Sequence, residues 1–135
     1  MSTHPGPSAA SVRDVADAGT PQFFISLVNT GREPFLLQHC HTSSACGWVQ
    51  EPIPGECILP GGERVWCGMP WDMGETITLD LVLHTPSGAA IAIHFSRRHP
   101  APAEASLELS QGLQGQAELQ RASSSSPFYM VTVGA

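Results

Sequence analysis

Two stretches near the middle of the chain alternate apolar and polar residues with a period of two, on either side of four turn-forming residues. Ile77, Leu79, Leu81 and Leu83 face one way, and Thr76, Thr78, Asp80, Val82 and His84 the other. After Thr85-Pro86-Ser87-Gly88, Ala89, Ile91, Ile93 and Phe95 oppose Ala90, Ala92, His94 and Ser96. A period of two belongs to a strand with one dry and one wet face, and the dry face has to be laid on another layer. A chain that repeats this pattern is committed to an all-β fold, and most of this one repeats it.

Phe23, Ile25 and Leu27 alternate with Phe24, Ser26 and Val28. Asn29-Thr30-Gly31 then supplies a turn, and Phe35, Leu37 and His39 alternate with Leu36, Gln38 and Cys40. These two runs predict an antiparallel hairpin. Residues 42–62, broken by Pro52, Pro54 and Pro60, read as a loop with a short strand through Cys57, Ile58 and Leu59. Residues 63–67 read as another short strand and 68–75 as a loop. Ala105, Leu107 and Leu109 alternate with polar residues, as do Ala117 and Leu119. Helix is the rival there, since Ala, Leu, Glu and Gln are good helix formers. Gly112, Gly115 and the alternation favour a second hairpin turning within 111–115. Residues 123–126 are a polar linker and 128–133 a last strand. The count is about eight strands with short connections and no helical pattern between them. The predicted fold is a single-domain, antiparallel two-sheet β-sandwich, with a closed barrel as the competing architecture. Leu79, Leu81, Ile91, Ile93 and Phe95 are placed on its inward face.

Composition agrees with an ordered, turn-rich domain. The 135 residues are 41% hydrophobic and 13% charged, with 13 Gly and 12 Pro. Residues 1–21 hold few large apolar groups and read as a flexible N-terminal tail with a helical turn over 11–18, leaving 22–135 as the sandwich. The start of the chain lacks the basic residues and apolar core of a secretory signal, and no run of apolar residues reaches membrane-spanning length. A cytoplasmic or non-classically secreted protein is the resulting expectation. The formal net charge is −6, with six basic residues that are all Arg. Nucleic acid as a partner is excluded on that balance, and electrostatic docking to anionic lipid is disfavoured.

The most conspicuous polar cluster is Gln38-His39-Cys40-His41 followed by Cys46. His and Cys are zinc and copper ligands, but Cys40 and Cys46 are six apart, which is not the spacing of a zinc knuckle. His39, Cys40 and His41 are thus weak metal candidates, and no metal or other cofactor is expected. The four Cys allow either two disulfides or four free thiols, and the missing signal favours thiols. Asp72 and Glu75 form a carboxylate pair in a loop, where solvated charges are the rule. No nucleophile elbow, phosphate loop or H-E-x-x-H is present, so an enzyme is not expected. Trp48, Trp66 and Trp71 lie in or beside the long loops, with Met69, Pro70 and Met73 adjacent. An apolar body with one polar N–H suits tryptophan to lipid and protein interfaces; the competing reading is that each packs under a loop as a lid on the core.

The order of these features is familiar. A strand ends in Asn29-Thr30-Gly31, and Gly47-Trp48-Val49-Gln50-Glu51-Pro52 follows a second. Ile58-Leu59-Pro60-Gly61-Gly62, Val65-Trp66 and the two alternating strands, ending in Ile91-Ala92-Ile93-His94-Phe95, complete it. The chain resembles the aegerolysin family over residues 23–98, particularly its bacterial insecticidal branch. That resemblance implies a small acidic sandwich without enzymatic activity that binds membrane lipid, often sphingolipid, as a cytolytic or toxin component. Some members act with a larger pore-forming protein, and a homo-oligomer is compatible with the reading. Trp48 and Trp66 match the motif tryptophans by position. With Trp71, Met69 and Met73 they make up the expected lipid-binding set. The sequence departs from the family in its four Cys and in having only Phe128 and Tyr129 as aromatics after Phe95. The alternative function is a protein-interaction sandwich that uses the same apolar loops or a sheet edge and binds no lipid.

Overall fold

A computed structural model describes residues 22–43, 46–70, 76–98 and 100–135. Ten strands run through them: β1 (Phe23–Asn29), β2 (Phe35–Thr42), β3 (Cys46–Gln50), β4 (Cys57–Ile58), β5 (Glu63–Pro70), β6 (Thr76–His84), β7 (Ala90–Arg98), β8 (Glu104–Leu109), β9 (Gln114–Gln120) and β10 (Phe128–Gly134). They form two five-stranded sheets, ordered β3-β5-β1-β10-β9 and β4-β2-β6-β7-β8. Among the described residues no helix is long and apolar enough to cross a membrane. The expected tail, 1–21, lies outside the described residues.

The alternating strands behave as their sequence requires. β6 and β7 pair antiparallel from Thr76–Arg98 to His84–Ala90, around a turn in which Gly88 takes φ 94° and donates to Thr85 O at 2.9 Å. Leu79, Leu81, Ile91, Ile93 and Phe95 are buried between the sheets, joined from the first sheet by Phe23, Ile25, Leu27, Trp66, Tyr129, Val131 and Val133. A second, smaller buried cluster of Phe24, Val65, Cys67 and Phe128 occupies the opposite face of the first sheet.

Both hairpins flanking this centre differ from expectation. β1 and β2 belong to different sheets, and so do β8 and β9; each pair is an arch across the sandwich. β1 is apolar on both faces, which suits the middle of a sheet, and it takes β5 on one side and β10 on the other. Asn29 makes the arch possible. Its buried amide donates to Glu33 O at 2.8 Å and Ile58 O at 3.0 Å, while its Oδ1 accepts from Gly31 N at 2.9 Å. β10 joins β1 in parallel, whereas every other pairing is antiparallel. The sandwich is therefore mostly, not wholly, antiparallel. β3 falls within the segment read as loop, and β5 extends three residues beyond the expected 63–67.

Two bulges then decide which side chains face water. Between Leu37 and His39 the register of β2 against β6 shifts by one, so that His39 lies opposite Val82, Cys40 opposite Leu81 and His41 opposite Asp80. One extra residue moves everything after it to the other face. His39, expected on the side of Phe35 and Leu37, is turned outward, and Cys40 is turned in against the core. A similar shift between Trp48 and Gln50 in β3 leaves Val49 as the extra residue.

Candidate functional site

β3 and β4 are the edge strands on one flank of the sandwich, and residues 51–56 connect them. This flank is held from within by aromatic rings. Trp48 and Phe23 both lie opposite Gly68 of β5. The Phe23 ring meets Trp48 edge-on at 5.6 Å and stacks on Phe95 of the other sheet at 5.2 Å. Gly68 is what lets the rings approach, since a Cβ there would lie 2.5 Å from the Phe23 ring. Trp48 is half-buried, with its inner side on the core.

The connecting segment is pinned to β5. Arg64 Nε donates to Glu56 Oε1 at 2.6 Å, and its Nη1 donates to Gln50 Oε1 at 2.9 Å. The second Glu56 oxygen accepts from Ile53 N at 2.5 Å and from Trp66 Nε1 at 3.5 Å. A charge-assisted network of this kind holds the segment in one conformation while its apolar side chains stay exposed.

The flank shows several large apolar side chains to water, with Glu51 exposed among them. Leu36 (41% exposed), Val49 (55%), Ile53 (57%), Leu59 (65%) and Met69 (37%) are the exposed large hydrophobics among the described residues. Val49 is the bulged residue of β3, and Ile53 and Leu59 lie just before and after β4; Met69, opposite Gly47 of β3, and Leu36, opposite Cys57 of β4, border the flank on the outer faces of the two different sheets. Scattered exposed apolar groups are ordinary; Val49, Ile53 and Leu59 along one flank make it the candidate contact surface.

The expected site residues are thus separated. Trp66 is fully buried in the core and offers nothing to a ligand; only its N–H, near Glu56, and its ring face, 5.8 Å from the Arg64 guanidinium, have polar neighbours. Trp48 is half-available and Met69 exposed. Trp71 and Met73 lie outside the described residues, as do Asp72 and Glu75. Val49, Ile53, Leu59 and Leu36 are not among the residues that the sequence singles out. For Ile53 a signal is present, because Pro52 and Pro54 exclude it from any regular strand that would bury it.

The histidine and cysteine cluster splits. His39 and His41 are exposed on the outer face of the second sheet, while Cys40 points inward. Among the described residues no three His, Cys, Asp or Glu come together to hold a metal ion. All four cysteines are free. Burial, then the charges of Glu51 and Glu56, push the Cys40 thiol up to about 11. Burial alone pushes Cys67 up to about 12 and also raises Cys46, against the lowering effect of the Thr42 hydroxyl. A thiol that keeps its proton is a poor nucleophile and a poor ligand. On the same outer face His94 Nδ1 lies 2.6 Å from Asp80 Oδ1, beside a shallow groove of about 290 Å³ lined in part by Val82, Ala92, Ser106 and Glu108.

The fold defines the class: a single-domain, two-sheet β-sandwich, here with exposed apolar side chains along one edge. No protein-family model matches the chain, and no curated protein matches it in sequence. Solved structures do match its fold. The lipid-binding protein Nakanori superposes with a TM-score of 0.73 at 7% identity, over 93% of this chain and 78% of Nakanori. IP-1A from Alcaligenes faecalis superposes with a TM-score of 0.65 at 8% identity, over 86% of this chain and 91% of IP-1A.

Proposed function

We propose that this chain is a non-enzymatic, aegerolysin-like sandwich that binds a lipid surface through its β3–β4 flank. The observation that carries the reading is the exposure of Val49, Ile53 and Leu59 along that flank, bordered by Met69 and Leu36, in a protein of net charge −6. Such a protein gains little from the charge of a membrane, so apolar contact has to supply the affinity. Burial of a large side chain contributes about 1.5–3 kcal/mol when complete, and several partly inserted ones suffice. The fold shared with a lipid-binding protein supports the same reading. Trp48 borders the flank, and Trp71 and Met73, which follow β5 in sequence, belong to the proposed contact set. A sphingolipid-type target, a cytolytic role and a larger pore-forming partner rest on the sequence resemblance.

Vesicle co-sedimentation across lipid compositions tests the proposal. Wild-type protein should bind, with weak dependence on salt, because screening acts on charge and not on apolar insertion. Val49→Asp with Ile53→Asp should abolish binding without unfolding, both sites being exposed, and Trp48→Ala should weaken it. If no vesicle binds the wild type, sphingolipid-rich ones included, the lipid reading fails and the protein-interaction module replaces it. Binding retained in full by the double aspartate variant would move the contact surface elsewhere.

A further inference from the structure

Each sheet has two edges, and three of the four are blunted. β3 carries the bulge at Val49, β4 has two residues, and β8, although paired with β7 without a shift, sets two carboxylates, Glu104 and Glu108, along its outer face. β9 is different. It pairs with β10 over seven consecutive residues without a shift, it carries a single charged side chain, Glu118, and it is exposed from Gln114 through Glu118. An edge left this regular is a template for another strand.

The hydrogen-bonding direction of β9 follows from its neighbours. Phe24 N donates to Pro127 O at 3.1 Å and Thr30 N to Val133 O at 2.8 Å. In a parallel ladder this parity directs Tyr129, Val131 and Val133 of β10 toward β1, and leaves Phe128, Met130, Thr132 and Gly134 to bond β9. Their partners are Gln120, Glu118, Gln116 and Gln114. The N–H and C=O groups of Gly115, Ala117 and Leu119 therefore point away from the sheet.

We propose that β9 is a homodimerisation edge, on which β9 of a second copy adds antiparallel about a two-fold axis through Ala117. About this centre Ala117 faces its own copy, and Gly115 faces Leu119 of the second copy. The three residues with outward backbone groups thus meet one another, and every N–H finds a C=O. The side chains are complementary as well. Glu118 falls opposite Gln116 of the second copy, so a carboxylate meets an amide donor, and Gln114 falls opposite Gln120. No two acidic residues oppose each other across the junction, although the chain is acidic overall. The product is one continuous sheet across both copies, with the β3 flanks at its two far ends.

Native mass spectrometry and sedimentation of the full chain test this. The wild type should show a concentration-dependent species close to twice 14.3 kDa. Ala117→Pro removes an N–H that points away from the sheet, so the dimer should weaken about tenfold or more while the melting temperature and circular dichroism stay those of the wild type. Gln116→Glu should weaken the dimer, because the new carboxylate then faces Glu118 of the second copy, and salt should restore it; Gln116→Lys should tighten it. A wild type that stays at 14.3 kDa at every concentration overturns the proposal, and so does a dimer that Ala117→Pro leaves intact. Should Ala117→Pro fail to fold, the Gln116 pair decides: opposite shifts for Glu and Lys support the edge, and equal behaviour overturns it.

Discussion

Arg64 Nε meets Glu56 Oε1 at 2.6 Å, with both side chains largely screened from water, and through this contact the segment carrying Ile53 is fastened to β5. Glu56→Ala leaves Arg64 Nε, Ile53 N and Trp66 Nε1 without their acceptor. A destabilisation of about 1–3 kcal/mol is expected, with the largest rise in hydrogen exchange over residues 51–57. Uniform exchange across the domain would show that the segment is held by something else.

Gly68 is required by its neighbours rather than by its backbone angles. Gly68→Ala places a methyl against the Phe23 ring, and relief demands movement of the ring away from Phe95 or Trp48. Overpacking of this kind costs about 1–3 kcal/mol. The loss should appear in chemical denaturation, together with a change in tryptophan fluorescence as Trp48 loses its edge contact.

Leu81 lies at the centre of the core with no exposed area. Leu81→Ala should cost about 2–5 kcal/mol, the transfer term adding to the cavity left behind. A loss well below that range would contradict its placement between the sheets.

Rising alkaline pH should weaken the fold, in part through its thiols. Cys40 and Cys67 titrate near 11 and 12 in the folded protein, against an ordinary value of 9.0. A folded pKa above the unfolded one means that the native state holds protons the unfolded chain releases. Their contribution is complete below about pH 9 and is lost as pH rises toward about 12. Denaturation midpoints should be equal at about pH 7 and 8 and fall between about pH 9 and 11, and Cys67→Ala should flatten that fall. In the native state at about pH 8, alkylation should begin at Cys57, the exposed one.

How much of this is legible in the sequence depends on whether the cause is local. Ile77 through Leu83 and Ile91 through Phe95 take the face their sequence assigns them, because a strand's alternation is a property of consecutive residues, and burial of the apolar set admits one orientation. That a strand follows residue 127 is legible for the same local reason, while which face of β10 turns inward is not. Strand partners are not a local property. A turn sequence such as Asn29-Thr30-Gly31 serves a hairpin or an arch equally well, and what chose the arch was the need of a doubly apolar β1 for β5 and β10 on its two sides. The bulges at Gln38 and Val49 are decided at the same level, since each satisfies a register set by the neighbouring strand. Their consequences reach the surface: His39 and His41 face water while Cys40 packs against the core, and Val49 stands out from its edge. Trp66, by contrast, disappears into the core. Residue types thus determined which groups have to be dry, and hence the two-layer β architecture. Only the tertiary pairing, in which one inserted residue reverses the facing of all that follow, decided which apolar side chains remain outside.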